Sequence, residues 1–402
     1  MLKSMKVICI LPWVLCACGG AGNEAVEQQV EQEAPPAASE NESSTSATVV
    51  NPTGRFYIVG KDIVDPSGNT FYPVGANLDG WDFFQRDTEN RAAAAASWGW
   101  NIIRINGAQL AHPEWNTHGL VSGDLSKPNF DKIDRIVQAY TSRKIVVMIE
   151  FHDGILTSSG ADATKLSQTR AAWVALANKY KTNTYVWFNL LNEPIWGQQV
   201  TDYVAVHTEL RNAIRATGAE NIIVVDGGVA GQEWPRWGVP GNLIPTYGPQ
   251  LAQGQCNMLF SIHVYNAWAE AGGSSPHTAE FISYLKSVQS KNLALIVGET
   301  GWNTSDSDVP RLKAGSMIAF NNAPAYGVGI IAWHGNPNWG DTFNLTRPDA
   351  GTSGGQFHAI DNWTQPTTLT DFGQVLWNLS HNKPQLGAFT GSYANSNCAS
   401  AK

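Results

Sequence analysis

The chain alternates short apolar runs with longer stretches in which apolar residues recur every three or four positions. The short runs are rich in β-branched and aromatic residues and end in polar or glycine-containing segments, so they read as buried strands. They predict strands over Phe71–Ala76, Asn101–Ile105, Ile145–Phe151, Tyr185–Leu191, Asn221–Val225, Leu259–His263, Ala294–Val297 and Gly329–Trp333. Between them the helical period predicts helices over Thr88–Ser97, Asn129–Ser142, Leu166–Lys179, Val200–Thr217, Thr278–Lys291 and Val309–Asn322, among others. Before the first strand, Phe56-Tyr57-Ile58-Val59 and Ile63-Val64, followed by Asp65-Pro66-Ser67-Gly68-Asn69, read as a small hairpin. Eight strands alternating with helices predict an α/β fold: a closed (β/α)8 TIM barrel with a small N-terminal hairpin. An open doubly wound sheet is the runner-up. It would carry a glycine-rich phosphate loop after an early strand, and that signature is missing.

A barrel of this kind gathers the C-terminal ends of its strands at one mouth. Asn77 and Asp79 follow the first strand, Arg104 and Asn106 the second, His152 and Asp153 the third, Asn192 and Glu193 the fourth. Asp226 ends the fifth, His263 and Tyr265 the sixth, Glu299 the seventh, and Trp333 and His334 the eighth. Polar or aromatic residues at all eight ends, after apolar strands, are hard to explain by stability alone. Pro194 cannot continue a ladder, so the fourth strand must stop and leave Glu193 at the rim. Glu193 and Glu299 then face each other across the mouth. Two facing carboxyl groups are what glycosidic hydrolysis needs, one protonated to assist the leaving oxygen and one ionised to attack the anomeric carbon. Arg104 is a suitable cation to keep one of them charged.

Composition narrows the setting. The chain has 402 residues, 43% hydrophobic and 15% charged, with 16 Trp and a net charge of -8. The negative balance argues against a nucleic-acid partner. Abundant Trp supplies flat apolar rings, which suit sugars. Trp81, Trp115, Trp196, Trp234, Trp237, Trp268, Trp302 and Trp339 fall in or beside mouth-side loops; Trp81, Trp196, Trp268 and Trp302 are candidate subsite platforms. At the N-terminus, Lys3 and Lys6 precede an apolar run from Val7 to Leu15, as in a secretory signal. Leu15-Cys16-Ala17-Cys18-Gly19 resembles a lipobox, with Cys18 as the acylated residue. Residues 19–52 carry six Glu and no Lys or Arg, a composition that reads as a disordered acidic tether. The expected organisation is therefore a signal over 1–18, the tether over 19–52, a catalytic barrel over 53–388 and a tail over 389–402. The localisation expected is export, as an outer-membrane or cell-surface lipoprotein or else a secreted protein. Cys256 and Cys398 are the two cysteines left in the body, and in an exported chain they are a candidate disulfide holding the tail.

Two other classes compete. Metal-dependent barrel hydrolases bring closely spaced His ligands such as His-x-His, which this chain lacks, so no metal and no cofactor is expected. A non-catalytic carbohydrate-binding barrel would keep the aromatic platforms but would not need both carboxylates.

Taken together, these residues resemble glycoside hydrolase family 5. The resemblance runs from about Gly54 to His381 and rests on Asn192-Glu193-Pro194, Gly298-Glu299, Arg104, His152, His263, Tyr265 and Trp333. It implies a retaining double displacement with Glu193 as acid/base and Glu299 as nucleophile. It also implies that Arg104 and Tyr265 orient Glu299, that His152 and Asn192 bind the sugar at the cleaved bond, that His263 supports Glu193, and that Trp333 floors that sugar. Val147–Asp153, Phe260–Tyr265 and Leu293–Glu299 look like the corresponding passages of bacterial mannanases; Leu190–Pro194 and Trp333–Asn336 depart from that pattern. The expected activity is endo-cleavage of a β-1,4-linked polysaccharide, with β-mannan ahead of β-glucan. The expected partner is a β-linked polysaccharide or oligosaccharide, the expected state a monomer, and any membrane contact would be through the lipid.

Overall fold

In the computed structural model the described residues are 54–79, 88–106, 130–152, 155–157, 160–194, 200–235, 240–271, 273–302, 309–335, 345 and 369–401. The signal with Cys18, the tether, and Trp81, Trp115, Trp196, Trp237 and Trp339 lie outside them.

Strands β1 (Tyr57–Val59) and β2 (Asp62–Val64) form the antiparallel hairpin. The chain then runs through β3 (Val74–Asp79), α1 (Thr88–Ser97), β4 (Ile102–Asn106), α2 (Phe130–Thr141) and β5 (Val146–Glu150). A two-stranded flap follows, β6 (Leu156–Thr157) and β7 (Gly160–Ala161). Next come α3 (Ala163–Tyr180), β8 (Val186–Asn189), α4 (Val200–Arg215), β9 (Ile223–Asp226), α5 (Leu243–Ala252) and β10 (Met258–Val264). The last elements are α6 (Thr278–Ser290), β11 (Ala294–Thr300), α7 (Val309–Asn322), β12 (Gly329–Ala332) and α8 (Asp371–His381). Eight strands close a parallel barrel in the order β10-β11-β12-β3-β4-β5-β8-β9.

Each expected barrel strand is present, with shifted ends. The first begins at Val74 rather than Phe71, because Pro73 has no N–H to give and contributes only its carbonyl, which accepts from Ile330 N at 2.9 Å. The helix α5 was not foreseen; Pro249 inside it reads as a breaker in sequence.

Alternation along the strands divides their side chains into two sets. Ile103, Ile105, Val147, Ile149, Phe188, Val225, Phe260, Ile262, Leu295 and Val297 pack outward against the helices. Ile102, Val146, Met148, Trp187, Val224, Leu259, Ala294, Ile296 and Ile331 fill the lower lumen. Phe56, Ile58 and Ile63 of the hairpin join that inner cluster, so the hairpin stoppers one end of the barrel. The C-terminal tail lies beside it: Tyr393 packs edge-on to Tyr57 with ring centroids 5.5 Å apart, and a disulfide joins Cys256 to Cys398. With the lower lumen filled, chemistry is left to the upper layer.

Candidate active site

Two residues further along the same inward rows, the apolar layer gives way to polar groups. Ile102 is followed by Arg104, Met148 by Glu150, Trp187 by Asn189 and Val224 by Asp226, and each of these polar side chains is buried. A buried charge is tolerated only when it is paired and hydrogen-bonded. Arg104 meets that condition in full, since its five N–H groups have five acceptors. Nε donates to Asn189 Oδ1 at 2.7 Å. Nη1 donates to Asn77 Oδ1 at 2.9 Å and Glu299 Oε1 at 2.6 Å. Nη2 donates to Asn192 Oδ1 at 2.7 Å and Asp226 Oδ2 at 3.2 Å. Burial would weaken the guanidinium's hold on its proton, but Glu150, Glu299 and Asp226 reverse this and hold it fully charged.

Glu299 owes its direction to a bulge. Outward-facing Leu295 and Val297 share its parity along β11, so strict alternation would turn it toward the helices. The β10–β11 register shifts between Ile262 and His263, and His263 is paired with Glu299 rather than Gly298. The extra residue on β11 re-aims the Glu299 side chain into the mouth. Gly298 makes room for this, because a Cβ there would collide with Ser261 Oγ. Tyr265 then donates its hydroxyl to Glu299 Oε2 at 3.1 Å.

Glu193 sits beyond the end of β8 with φ 44°, a left-handed conformation that costs a non-glycine residue about 1–3 kcal/mol and is kept only where the surroundings fix it. Its N–H donates to Asp226 Oδ2 at 3.3 Å, and its Oε1 lies 2.9 Å from His263 Nδ1. Burial pushes the Glu193 carboxyl up; His263 pulls against that and Glu299 adds to it. Burial alone would strip the proton from His263, but Glu299 and Asp226 outweigh it and push the imidazole up to about 10.

On the other side of Arg104, His152 Nδ1 lies 3.0 Å from Glu150 Oε1 and its Nε2 lies 3.3 Å from Asn192 Nδ2. Arg104 occupies Asn192 Oδ1, so the amide nitrogen of Asn192 faces His152. Burial lowers the His152 pKa, but the Glu150 carboxylate more than reverses this and pushes it up to about 9. The Trp333 ring stands beside His152, centroid to centroid 6.1 Å.

All eight residues expected at the cleavage point, namely Arg104, His152, Asn192, Glu193, His263, Tyr265, Glu299 and Trp333, therefore lie in one connected cluster. Asn77, Glu150, Asn189 and Asp226 complete it without having been assigned a part. Glu150 was legible, since a Glu inside Val147-Met148-Ile149-Glu150-Phe151 breaks an apolar run two residues before His152. Glu233, in the loop after β9, was missed as well. Burial pushes its carboxyl up to about 7, against the N–H groups of Gly228 and Ile244, and it ties that loop to Tyr284.

Two of the candidate platforms need correction. Trp268 and Trp302 are each only 2% exposed. Trp268 donates Nε1–H to Gln232 O at 3.0 Å and packs edge-on to Trp234, Phe281 and Tyr284. Trp302 lies against Phe320 and Phe372. Both rings find their apolar partners within the protein, so neither has a free face for a sugar. Trp234 is partly buried and stacks on His277 with centroids 4.6 Å apart.

One oxygen of Glu193, one of Glu299 and a nitrogen of His263 lie within 4.8 Å of one another. That spacing would also admit a cation, in exchange for the proton on the His263 imidazole. Within the group is a pair of close carboxyl groups, one pushed up by burial and the other gripped by a buried arginine and a tyrosine.

The fold and site together define a (β/α)8 barrel with two close carboxyl groups at its mouth. The family model described as cellulase, glycosyl hydrolase family 5, matches residues 64–339, and the chain belongs to that family. It is a glycoside hydrolase. A mannan endo-1,4-beta-mannosidase of Cellvibrio japonicus (strain Ueda107) is 28% identical over 82% of this chain and 67% of its own. A second protein of that name, from Salipaludibacillus agaradhaerens, is 25% identical over 74% of this chain and 87% of its own. Among solved structures, a beta-mannanase from Thermomonospora fusca superposes with a TM-score of 0.61 at 20% identity, covering 83% of this chain and 98% of its own.

Proposed function

We propose that this chain is a retaining endo-β-1,4-glycanase whose substrate is β-mannan. The observation that carries the chemistry is the carboxyl spacing: an oxygen of Glu193 and one of Glu299 lie within 4.8 Å, near the roughly 5–5.5 Å of retaining sites and well short of the gap that an inverting enzyme keeps for water. Glu299 attacks the anomeric carbon while Glu193 protonates the departing oxygen. A covalent glycosyl-enzyme forms, and Glu193 then acts as base on the water that hydrolyses it. Arg104 and Tyr265 hold Glu299 in line. His152 and Asn192 offer polar groups to the bound sugar, beside the Trp333 ring.

The mannan assignment is supported by the two relatives, both mannan endo-1,4-beta-mannosidases, and by the passages ending at Asp153, Tyr265 and Glu299. β-Glucan is the second reading, supported by the cellulase description of the family model. Reducing-end release from mannan, glucomannan, carboxymethyl-cellulose and xylan separates them. Mannan must be cut fastest, and a higher rate on carboxymethyl-cellulose would replace mannan by glucan. A rapid fall in viscosity with few reducing ends is the expected sign of endo action, and NMR of the first product should show the retained anomer.

We further propose that the chain is exported and held by a lipid on Cys18, with residues 19–52 as the spacer. Labelling with a clickable fatty acid should mark the wild type and not Cys18→Ala; equal labelling would exclude the anchor.

A further inference from the structure

The inner carboxylate Asp226 touches Glu193 by two routes. Asp226 is fully buried at the end of β9. Its Oδ1 accepts from Asn189 Nδ2 at 2.9 Å. Its Oδ2 accepts from Arg104 Nη2 at 3.2 Å and from the Glu193 backbone N–H at 3.3 Å. The same Oδ2 makes an ion-pair contact with His263 Nε2 at 3.2 Å. His263 Nδ1, on the far side of the ring, lies 2.9 Å from Glu193 Oε1. Asp226 thus holds the backbone of Glu193 directly and its carboxyl through one imidazole.

We propose that Asp226 is a positioning residue for Glu193, fixing through His263 which carboxyl oxygen carries the acid proton. The proposal rests on the reading of Glu193 as the acid/base.

The argument is one of proton placement. A carboxylate beside Nε2 keeps a proton on that nitrogen. Nδ1 faces Glu193 Oε1 and, at 3.4 Å, Glu299 Oε2, so the second ring proton is favoured as well. The doubly protonated ring then donates from Nδ1 to Oε1. An oxygen accepting that bond is not the one bearing the carboxylic proton, which is left on Oε2 for the glycosidic oxygen. Remove the charge of Asp226 and the ring can become neutral. Its Nδ1 lone pair then accepts from Glu193 itself and draws the acid proton to Oε1, away from the leaving group. Arg104 is the other charged group facing Asp226, and it keeps four acceptors when Asp226 is neutral.

The test separates acid assistance from general damage. Aryl β-mannotriosides with phenyl and 2,4-dinitrophenyl leaving groups are compared by kcat/KM, which reports the first chemical step; aryl β-cellotriosides replace them if the polysaccharide panel returns glucan. A phenolate needs the proton, while dinitrophenolate leaves without it. Asp226→Asn should lose roughly 100-fold on the phenyl substrate, the scale of general acid assistance, and at least ~10-fold less on the dinitrophenyl substrate. Equal losses on both would overturn the proposal and make Asp226 structural. Glu193→Ala, run alongside, should show the same split more deeply. If Glu193→Ala loses equally on both, the acid/base reading of Glu193 fails and the proposal falls with it. Should Asp226→Asn not fold, His263→Gln cuts the same line with Asp226 retained. It must show the split, and a uniform loss there overturns the proposal.

Discussion

Arg104 Nη1 lies 2.6 Å from Glu299 Oε1, with both side chains closed off from solvent. The contact is one of five from the same guanidinium, so Arg104 is at once the counter-ion of Glu299 and the frame that holds Asn77, Asn189, Asn192 and Asp226. A lysine has three donors on one atom and cannot reproduce that fork. Arg104→Lys should lower kcat/KM by roughly 100- to 1000-fold, the usual cost of removing a fixed donor from developing charge. Arg104→Ala leaves buried carboxylates unpaired and should cost about 3–5 kcal/mol of stability in urea unfolding.

The two carboxyl groups make opposite predictions for rescue. Glu299→Ala should lose turnover while folding normally, and azide should restore it as a glycosyl azide of inverted configuration. Glu193→Ala should be rescued by azide only on substrates with good leaving groups, with configuration retained, because Glu299 still forms the intermediate. NMR of the azide products distinguishes the two, and wild-type turnover in either variant would remove that residue from the mechanism.

Stability should fall on mild acidification through His207. Its ring is buried with Nδ1 on the Tyr203 carbonyl at 2.7 Å, and burial pulls its pKa down to about 4. The unfolded chain binds that proton near the ordinary value of about 6.5, whereas the native state resists it until about 4, so stability declines as pH falls between them. Over that window the loss should be on the order of 3 kcal/mol. His263 has the opposite sign: with its pKa raised to about 10, its contribution is complete below about 6.5 and is lost as pH rises. Glu233, with its carboxyl pushed up to about 7, gains stability as pH falls over much of the same window and offsets His207 in the wild type. The check is therefore the difference: between pH 7 and pH 4 the urea midpoint of the wild type should fall relative to that of His207→Gln.

The Cys256–Cys398 bond spans 142 residues. In the chain-entropy account a loop of that size is worth about 4–5 kcal/mol. It ties the tail to the end of the barrel stoppered by the hairpin, away from the mouth. Reduction, or Cys398→Ser, should therefore lower the melting temperature and leave kcat/KM on polysaccharide unchanged at temperatures where the protein stays folded. A matched fall in kcat/KM there would mean that the tail reaches the mouth.

Trp268→Ala and Trp302→Ala test the packing assignment. Each deletes a buried ring and should cost roughly 3–5 kcal/mol in unfolding. Neither should raise KM for long oligosaccharides while leaving stability intact. That second pattern is what a subsite platform would give.

The barrel and its mouth residues were legible because two signals coincide. Strand periodicity fixed where each strand runs, and the polar residue that ends each apolar run marks the rim. Arg104, Asn189 and Asp226 even share the parity of the inward residues Ile102, Trp187 and Val224. The Trp residues were not legible in the same way. A large flat ring is equally at home on a sugar and among Phe281, Phe320 and Phe372, and sequence carries no sign of which neighbours a loop folds against.

By itself, then, the sequence determined the alternation of strands and helices, the stop after the fourth strand at Pro194, and the presence of two carboxylates with an arginine at strand ends. These follow from local chemistry: side-chain period, the missing N–H of proline, and the cost of ending a buried strand on charge. Only the tertiary structure decided that Glu299 points inward, because alternation along β11 gives the other face and a register shift against His263 reverses it. Only the tertiary structure, too, brought Asp226 onto Glu193 from a neighbouring strand. Both depend on how strands pair across the barrel, and that pairing is set by long-range packing that no single segment encodes.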